Sequence, residues 1–310
     1  MRLVTFEISD GGQHIGAITC DATTISDFTA TGNPQFHDML ALMDGGDAAL
    51  EEARYLTEVP KATVESAAIQ LLAPVPIPRQ IFDCLCFEQH FLQARLHAHL
   101  VPGGRAIDPS NNELPPIYRE TPVYYKSNRF SVIGPDADII CPRYSKFLDY
   151  ELEFGVFLGR TGKNIPVEAA ADYIFGYCIF NDVSARDQQF REARGMLGPS
   201  KGKDFDTGNV MGPWLVTPDE IPQPLNLTMA AYVNGEERSR GASRDMLHSF
   251  AEIIAYSSQD ETRHAGEFFG SGTVGGGCGL ETGRFLAHGD LIELEVSGLG
   301  VLRNRVVFQD

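Results

Sequence analysis

The sequence predicts an α+β fold that is mostly β, and three observations lead to this class. Many short β-rich segments follow one another, from RQIFDCLCF near residue 79 to DLIELEVSGLGVLRNRVVF near the C-terminus. Few helical segments interrupt them, so the regular strand–helix alternation of a doubly wound sheet is missing. The third observation is a hydrophobic content of 43% over 310 residues, which supports a substantial core.

The first 75 residues are predicted to form a small α/β domain. RLVTFEISDGGQHIGAITC alternates apolar and polar residues around a Gly-Gly turn, as a β-hairpin does. NPQFHDMLALM and GDAALEEARYLTEV predict two short helices, and ESAAIQLLAPVPIP resembles a strand. Prolines at 74, 76 and 78 cannot continue a sheet interior. We therefore expect a small domain over 1–75 and a larger one over 76–310.

The larger domain is predicted to contain strands joined by turns and a few helices. Strand candidates include TPVYYKSN, FSVIG, DYELEFGVFLG, YIFGYCIFNDV, PWLVT and LNLTMAAYVNG. PVEAAADY and DMLHSFAEIIAYSSQ are the main helix candidates. This order favours a roll over a layered α/β sheet.

Charge and composition exclude several classes of partner. Lys and Arg number 25 against 42 Asp and Glu, a net charge of −17 that repels phosphate backbones and anionic membranes. We expect no nucleic-acid or membrane partner. No apolar run approaches about 18 residues, and MRLVTFEISD lacks a signal-peptide pattern, so a cytoplasmic location is expected. The six scattered cysteines indicate reduced thiols, and the C-x-C pair Cys84 and Cys86 fits core cysteines better than structural zinc.

Acidic residues inside an apolar segment are the first candidate site. In DYELEFGVFLG, Glu151 and Glu153 point to the same face of a strand, while Leu152 and Phe154 point to the other. Asp182 ends the apolar segment YCIFND and could join the pair. Three carboxylates suit Mg²⁺, Mn²⁺ or Ca²⁺. The alternatives are a solvated strand face for the glutamates and a turn or helix N-cap for Asp182.

Three long motifs closely resemble the fumarylacetoacetate hydrolase family. They are LDYELEFGVFLGRTGKNIPVEAAADYIFGYCIFNDVSARDQQ, GPSKGKDFDTGNVMGPWLVTPDEI and GSGTVGGGCGLETGRFLAHGD. The resemblance spans roughly residue 79 to the C-terminus. It implies a catalytic domain of the mixed β-sandwich or β-roll type, a homodimer, and a divalent metal, with Mg²⁺ first and Mn²⁺ or Ca²⁺ as alternatives. The family's metal sits on the E-x-E pair and on the aspartate of N-D-x-S-A-R-D, which here are Glu151, Glu153 and Asp182.

The same resemblance implies roles for further residues. Asp83, seven residues before the catalytic His90 in FDCLCFEQH, becomes a fourth metal ligand. Gln93 stands where smaller relatives carry the glutamate that holds the histidine, so Glu281 becomes the partner of His90. Leu85 replaces a substrate-binding tyrosine, which argues against fumarylacetoacetate itself as the substrate. The remaining assignments are Lys203 and Gln189 as catalytic groups, and Tyr125, Arg186 and Thr273 as substrate contacts.

Taken alone, several of these residues have simpler interpretations. His90 fits a surface or hydrogen-bonded core histidine, and Lys203 and Glu281 fit solvent-facing charges. GGGCG at residues 275–279 could be a phosphate cradle, but no G-K-[ST] follows, which favours a loop close to the active site. The segment 91–116 is predicted to be a long polar loop that forms a lid and sets specificity.

The expected function is metal-dependent hydrolysis of a C–C bond in a small diketo acid or acylpyruvate, in aromatic or sugar-acid breakdown. His90, oriented by Glu281, would activate water, and Lys203 with Gln189 would stabilise the oxyanion. The same residues also allow hydration of a 2-oxo-alkenoate, decarboxylation of an oxo acid or isomerisation of a maleyl group. A metal-stabilised, ligand-binding protein without catalysis is the non-enzymatic alternative.

Overall fold

The computed structural model describes residues 1–9, 11–20 and 22–309. The turn of the predicted N-terminal hairpin includes Asp10, which lies outside the described residues. The strands are β1 (Arg2–Glu7), β2 (Gln13–Ile18), β3 (Thr24–Asp27), β4 (Thr63–Glu65), β5 (Gln70–Leu71), β6 (Gln80–Cys84), β7 (Tyr124–Ser127), β8 (Val132–Ile133), β9 (Asp138–Cys141), β10 (Leu148–Asp149), β11 (Leu152–Leu158), β12 (Ile174–Asp182), β13 (Ser184–Ala185), β14 (Asn209–Val216), β15 (Thr228–Val233), β16 (Glu236–Ala242), β17 (Glu267–Gly270), β18 (Leu291–Val296) and β19 (Gly300–Phe308).

Most of the helices are short. The α-helices are α1 (Met39–Asp44), α2 (Gly46–Glu58), α3 (Glu88–His97), α4 (Ile117–Glu120), α5 (Arg186–Ala193), α6 (Ser200–Lys203) and α7 (Phe250–Ser257). Segments of 3₁₀ helix cover Thr29–Thr31, Pro34–Phe36, Ser66–Ala68, Ala98–Leu100, Pro109–Asn111, Val167–Tyr173, Pro218–Glu220 and Ser243–Asp245. The predicted α+β, mostly β class is confirmed.

Two large sheets carry the fold. The first follows the order β4-β3-β2-β1-β14-β12-β11-β17-β6-β7, with β5 on β1 and β8 on β14. The second follows β16-β15-β18-β19-β9, and β10 pairs with β13. Strand β1 joins the first sheet by pairing Leu3 with Leu215 of β14. The boundary between residues 75 and 76 stays a prediction, and the N-terminal strands continue the sheet of the C-terminal part.

Strand β11 lies at the centre of the first sheet and is buried along its whole length. On one face, Leu152 and Phe154 belong to the larger hydrophobic cluster, while Phe157 packs into a second cluster on the other face. Glu153 shares that second face and is 0% exposed. The solvated-face alternative for the glutamates is therefore wrong, because β12 and β17 flank β11 and other elements cover both of its faces.

Glycines let three strands approach closely beside Glu153. Gly155 of β11 pairs with Gly270 of β17, and Gly270 pairs with Asp83 of the parallel strand β6. A side chain at Gly155 would overlap Phe268, so the close approach needs glycine there. This register places Asp83 beside Gly270, close to the face of β11 on which Glu153 lies.

Some predicted elements differ from the structure. The segment 91–116 begins inside the helix α3 instead of being a loop throughout, because EQHFLQARLH contains no glycine or proline that would stop a helix. PVEAAADY forms a 3₁₀ helix, and α7 starts only at Phe250, where Ser249 and Glu252 make a capping box. Among the helices that the structure describes, none has the length and apolar character that a bilayer crossing requires.

We predict that Phe154→Ala lowers the free energy of unfolding by about 3–5 kcal/mol, since truncating a buried phenylalanine leaves a cavity. Phe154 is 0% exposed, and its ring packs edge-on against Phe250 with 5.3 Å between centroids. Phe130→Ala is the matched control, because Phe130 is 67% exposed and should change stability by no more than about 0.5 kcal/mol. Urea denaturation measures both, and equal losses would contradict the assignment of β11 to the core.

Candidate active site

The predicted site residues lie in one connected network beside the start of β11 and the end of β12. Nine of them are buried, whereas Tyr125 and Gln189 are partly exposed. The network contains Asp83, His90, Tyr125, Glu151, Glu153, Asp182, Arg186, Gln189, Lys203, Thr273 and Glu281. It has two parts: a carboxylate cage and a histidine–glutamate dyad.

The carboxylate cage consists of Asp83, Glu153 and Asp182. One carboxylate oxygen from each lies within 4.8 Å of the others, and all three side chains are buried. The Oδ1 atoms of Asp83 and Asp182 have no hydrogen-bond partner. A methyl group at Gly270 would overlap Oδ1 of Asp83, so glycine keeps this space open. Unpartnered buried oxygens around a small space fit a bound cation.

The electrostatics of the cage point the same way. Burial, together with the charge of Asp182, raises the pKa of Asp83 well above its ordinary value. Burial and the charges of Asp83 and Asp182 do the same to Glu153. Burial also raises the pKa of Asp182, although Lys203 opposes the shift. The ionised cage is thus undercompensated by the protein alone, and a divalent cation would relieve the repulsion.

Glu151 lies beside the cage and is held by two cations. Nζ of Lys203 donates to Oε2 of Glu151 at 2.5 Å and also to a carboxylate oxygen of Asp182. Nη2 of Arg186 lies 2.8 Å from Oε1 of Glu151. This contact is an ion pair, but its geometry is not that of a hydrogen bond. Burial opposes ionisation, but Lys203, Arg186 and His90 together lower the pKa of Glu151 below its ordinary value. Glu151 is therefore already compensated by the positive charges of the protein, and its role as a metal ligand stays a prediction.

The dyad joins α3 to a glycine-rich turn. Nδ1 of His90 lies 2.8 Å from Oε1 of Glu281, a contact that places the ring proton on Nδ1 because a carboxylate only accepts. The backbone N–H groups of Gly276 and Gly277 donate to Glu281 at 2.7 and 3.1 Å. Nε2 of His90 faces the cage side, 3.8 Å from Oε1 of Glu151. An imidazole anchored in this way can accept a proton at Nε2.

The three predicted substrate contacts all touch acidic groups of the network. The hydroxyl of Tyr125 donates to Asp182, and Oγ1 of Thr273 donates to Glu153 at 3.2 Å. The N–H of Gly272 also donates to Glu153, at 3.0 Å. Arg186 contacts the carboxylates of Asp149 and Glu151 and donates to Oε1 of Gln189 at 3.0 Å. Their substrate roles stay predictions, and in the structure they orient the carboxylates.

Two further residues were not singled out from the sequence. Asp149 is fully buried and accepts from Nε of Arg186 at 2.8 Å and from the N–H groups of Gly279 and Leu280 at 2.7 and 2.9 Å. Asp149 therefore connects Arg186 to the backbone of the turn next to Glu281. The available signal was the alternation D-x-E-x-E, which places Asp149 in series with the glutamates. The second residue, Cys278, lies 3.5 Å from Glu281 through its Sγ atom.

The fold and this network define an α+β protein with a buried acidic cluster and an adjoining histidine–glutamate dyad. The sequence model described as fumarylacetoacetate (FAA) hydrolase, C-terminal, matches residues 83–307. The chain belongs to the fumarylacetoacetate hydrolase family.

Known relatives differ in the reactions that their names describe. The chain is 31% identical over 311 residues to the mitochondrial oxaloacetate tautomerase fahd2 of Xenopus laevis, covering 99% of this chain and 90% of the relative. A fumarylacetoacetate hydrolase from Exiguobacterium antarcticum superposes with a TM-score of 0.75 at 26% identity, covering all of both chains. The 5-carboxymethyl-2-hydroxymuconate delta-isomerase from Mycobacterium smegmatis gives 0.72 at 25% identity, again with full coverage of both chains.

We predict that Asp149→Asn lowers the free energy of unfolding by about 3 kcal/mol or more, because it leaves the buried Arg186 without one of its charge partners. Asp136→Asn is the matched control. It breaks an exposed aspartate–arginine pair with Arg303, which is worth no more than about 1 kcal/mol. Chemical denaturation checks both variants. Equal, small losses would show that Asp149 does not tie the two parts together.

We predict that Mg²⁺ raises the melting temperature and that Glu153→Gln removes this response. Saturation at about 100 times the dissociation constant stabilises by about 2.7 kcal/mol. Because its pKa is raised, the Glu153 carboxylate destabilises the metal-free fold above its unfolded-state pKa, so neutralising it should not lower metal-free stability.

The control for the magnesium experiment is Glu295→Gln, at an exposed position of β18. This variant should keep the full Mg²⁺ response in differential scanning fluorimetry. An identical response in Glu153→Gln would remove the cage from consideration as the cation site.

Proposed function

We propose that this chain is a divalent-metal-dependent hydrolase that cleaves a C–C bond in a small 1,3-diketo acid or acylpyruvate. The observation that carries the proposal is the placement of the dyad. His90 is held through Nδ1 by a buried Glu281, and its Nε2 faces the carboxylate side of the site. A base beside a cation site is the arrangement that water activation requires.

The residues of the cage fit a hard divalent cation. Asp83, Glu153 and Asp182 would hold it, with Glu151 as a fourth carboxylate, and all the donors are oxygens, which Mg²⁺, Mn²⁺ and Ca²⁺ prefer. Such a cation, when bound, polarises a carbonyl group and stabilises an enolate. Mg²⁺ is the first choice, with Mn²⁺ and Ca²⁺ as alternatives.

The dyad moves the proton. Nε2 of His90 takes a proton from water as the water oxygen adds to the acyl carbonyl carbon of the substrate. The bond between that carbon and the methylene carbon then breaks, and the methylene carbon keeps the electron pair. It takes the proton back from Nε2, so that a carboxylic acid and pyruvate leave. Glu281 stabilises the imidazolium throughout, and two backbone N–H groups that donate to it hold its carboxylate in place.

Lys203 and Gln189 would stabilise the developing oxyanion. Lys203 is buried, and its pKa is raised because Asp182 and Glu151 outweigh the effect of burial, so its ammonium stays charged. Arg186 orients Gln189 through its side-chain carbonyl, which leaves the amide N–H₂ as a donor. One such donor contributes about 3 kcal/mol to transition-state stabilisation.

Keto–enol tautomerisation of a 2-oxo acid is the second candidate. It is favoured by the relative that aligns along nearly the full length of both chains, which is named an oxaloacetate tautomerase. The same dyad could carry a proton between the carbon and the oxygen of an enol. Tautomerisation needs no activated water, so the two candidate functions can be distinguished by their products.

We predict that His90→Ala lowers kcat for acylpyruvate hydrolysis by about 10²–10⁴-fold, the usual contribution of a general base. His97→Ala, at the other end of α3, should leave kcat unchanged, because Nδ1 of His97 donates to the backbone carbonyl of Gln93 on the same helix and not to a residue of the site. Pyruvate release measures turnover, and the thermal response to Mg²⁺ shows that the cation still binds.

Three outcomes distinguish the candidates. Unchanged hydrolysis in His90→Ala with Mg²⁺ bound would contradict the mechanism. Rapid loss of enol-oxaloacetate absorbance without pyruvate release from any acylpyruvate would favour the tautomerase. Thermal stabilisation by Mg²⁺ without turnover of diketo or oxo acids would favour the non-enzymatic ligand-binding alternative.

A further inference from the structure

Cys278 is a buried, metal-ligating residue of the site that the proposed reaction does not use. It is the one member of the turn at residues 275–279 that carries a side chain, and it is 0% exposed. Its Sγ atom lies 3.9 Å from Nδ1 of His90 and 3.5 Å from Oε1 of Glu281. The turn therefore directs a thiol toward both members of the dyad.

The turn leaves little freedom for that side chain. Gly276 has φ of +74°, which favours glycine. A methyl group at Gly277 would overlap the carbonyl of Val274, and one at Gly279 would overlap the carbonyl of Arg284. Cys278 also pairs with Glu151 in an isolated β-bridge. The thiol is thus held in place by a backbone that tolerates little change on either side.

We propose that His90, Cys278 and Glu281 form a second metal site, chemically softer than the cage, which takes Zn²⁺ and thereby blocks the dyad. The three donors are one nitrogen, one sulfur and one oxygen, and their ligand atoms all lie within 4.8 Å of one another. This is the donor set of zinc in proteins, whereas the cage offers oxygen alone.

The distances fit a tetrahedral zinc with small adjustments. Metal–ligand bonds of about 2.0–2.3 Å at tetrahedral angles separate neighbouring ligand atoms by roughly 3.4–3.6 Å. The sulfur-to-oxygen distance of 3.5 Å already falls in this range, and the sulfur-to-nitrogen distance of 3.9 Å is slightly longer. The contact between His90 and Glu281, at 2.8 Å, must open, because the cation replaces the shared proton.

Zinc bound in this way removes the proton acceptor from the reaction. With Nδ1 of His90 on the cation, the neutral imidazole would carry its proton on Nε2 and could no longer accept one there. Glu281 would also no longer orient the ring as a hydrogen-bond acceptor. Zn²⁺ would therefore inhibit at concentrations where Mg²⁺ fills the cage. Inhibition by Zn²⁺ rests on the proposed function, whereas the binding of Zn²⁺ can be measured independently of any reaction.

The test uses Co²⁺ as a spectroscopic substitute for Zn²⁺ on the full chain saturated with Mg²⁺. A cobalt–thiolate charge-transfer band should appear with one equivalent, because oxygen ligands alone do not give this band. Cys278→Ser should abolish it and weaken Zn²⁺ affinity at least about tenfold, measured by competition with a chromophoric chelator.

The matched controls are Cys84→Ser and Cys86→Ser, two buried cysteines near the cage residue Asp83. Both variants should keep the band. A band that is absent from the unmodified chain, or that persists in Cys278→Ser, overturns the proposal. If Cys278→Ser does not fold, X-ray absorption of the zinc-loaded unmodified chain decides: one sulfur ligand at about 2.3 Å supports the site, and nitrogen and oxygen ligands alone overturn it.

Discussion

Compensation of buried negative charge is the constraint on which the rest of the site depends. Six carboxylates lie buried together, while Lys203 and Arg186 supply the permanent positive charges that contact them. The carboxylates are Asp83, Asp149, Glu151, Glu153, Asp182 and Glu281. Backbone N–H groups satisfy Asp149 and Glu281, and the two cations satisfy Glu151. The remaining excess falls on the cage, where two oxygens have no partner.

The surrounding architecture serves this charge cluster. Glycines on β11 and β17 bring three strands close enough for Asp83 to reach the face of Glu153. A second set of glycines, at residues 275–279, bends the chain so that its N–H groups point at Glu281 and Asp149. In both places the missing side chain is what permits a backbone group or a carboxylate to occupy the space.

The cage and the dyad meet at Glu151. Its Oε2 shares Lys203 with Asp182, and its Oε1 faces Nε2 of His90. A change in the charge of the cage therefore acts on His90 through a single side chain, that of Glu151. This closeness is compatible with the different reactions for which relatives are named, tautomerase, isomerase and hydrolase. All three classes of reaction can use stabilisation of an enolate and a nearby proton acceptor, and differ in where the proton and the water go.

The sequence by itself determined the fold class, the family and the identity of the acidic residues, because alternation along a strand and long ordered motifs are local properties. It could not determine whether Glu151 and Glu153 face water, since the burial of β11 depends on strands distant in sequence. The same limit hid Asp149 and Cys278, because the contacts of Asp149 with Leu280 and of Cys278 with His90 each span more than 100 residues. Only the tertiary structure decided which carboxylates gather in the cage and which one contacts both Lys203 and Arg186. The physical reason is that charge compensation depends on distances of a few ångströms between segments, and a sequence pattern records only their order.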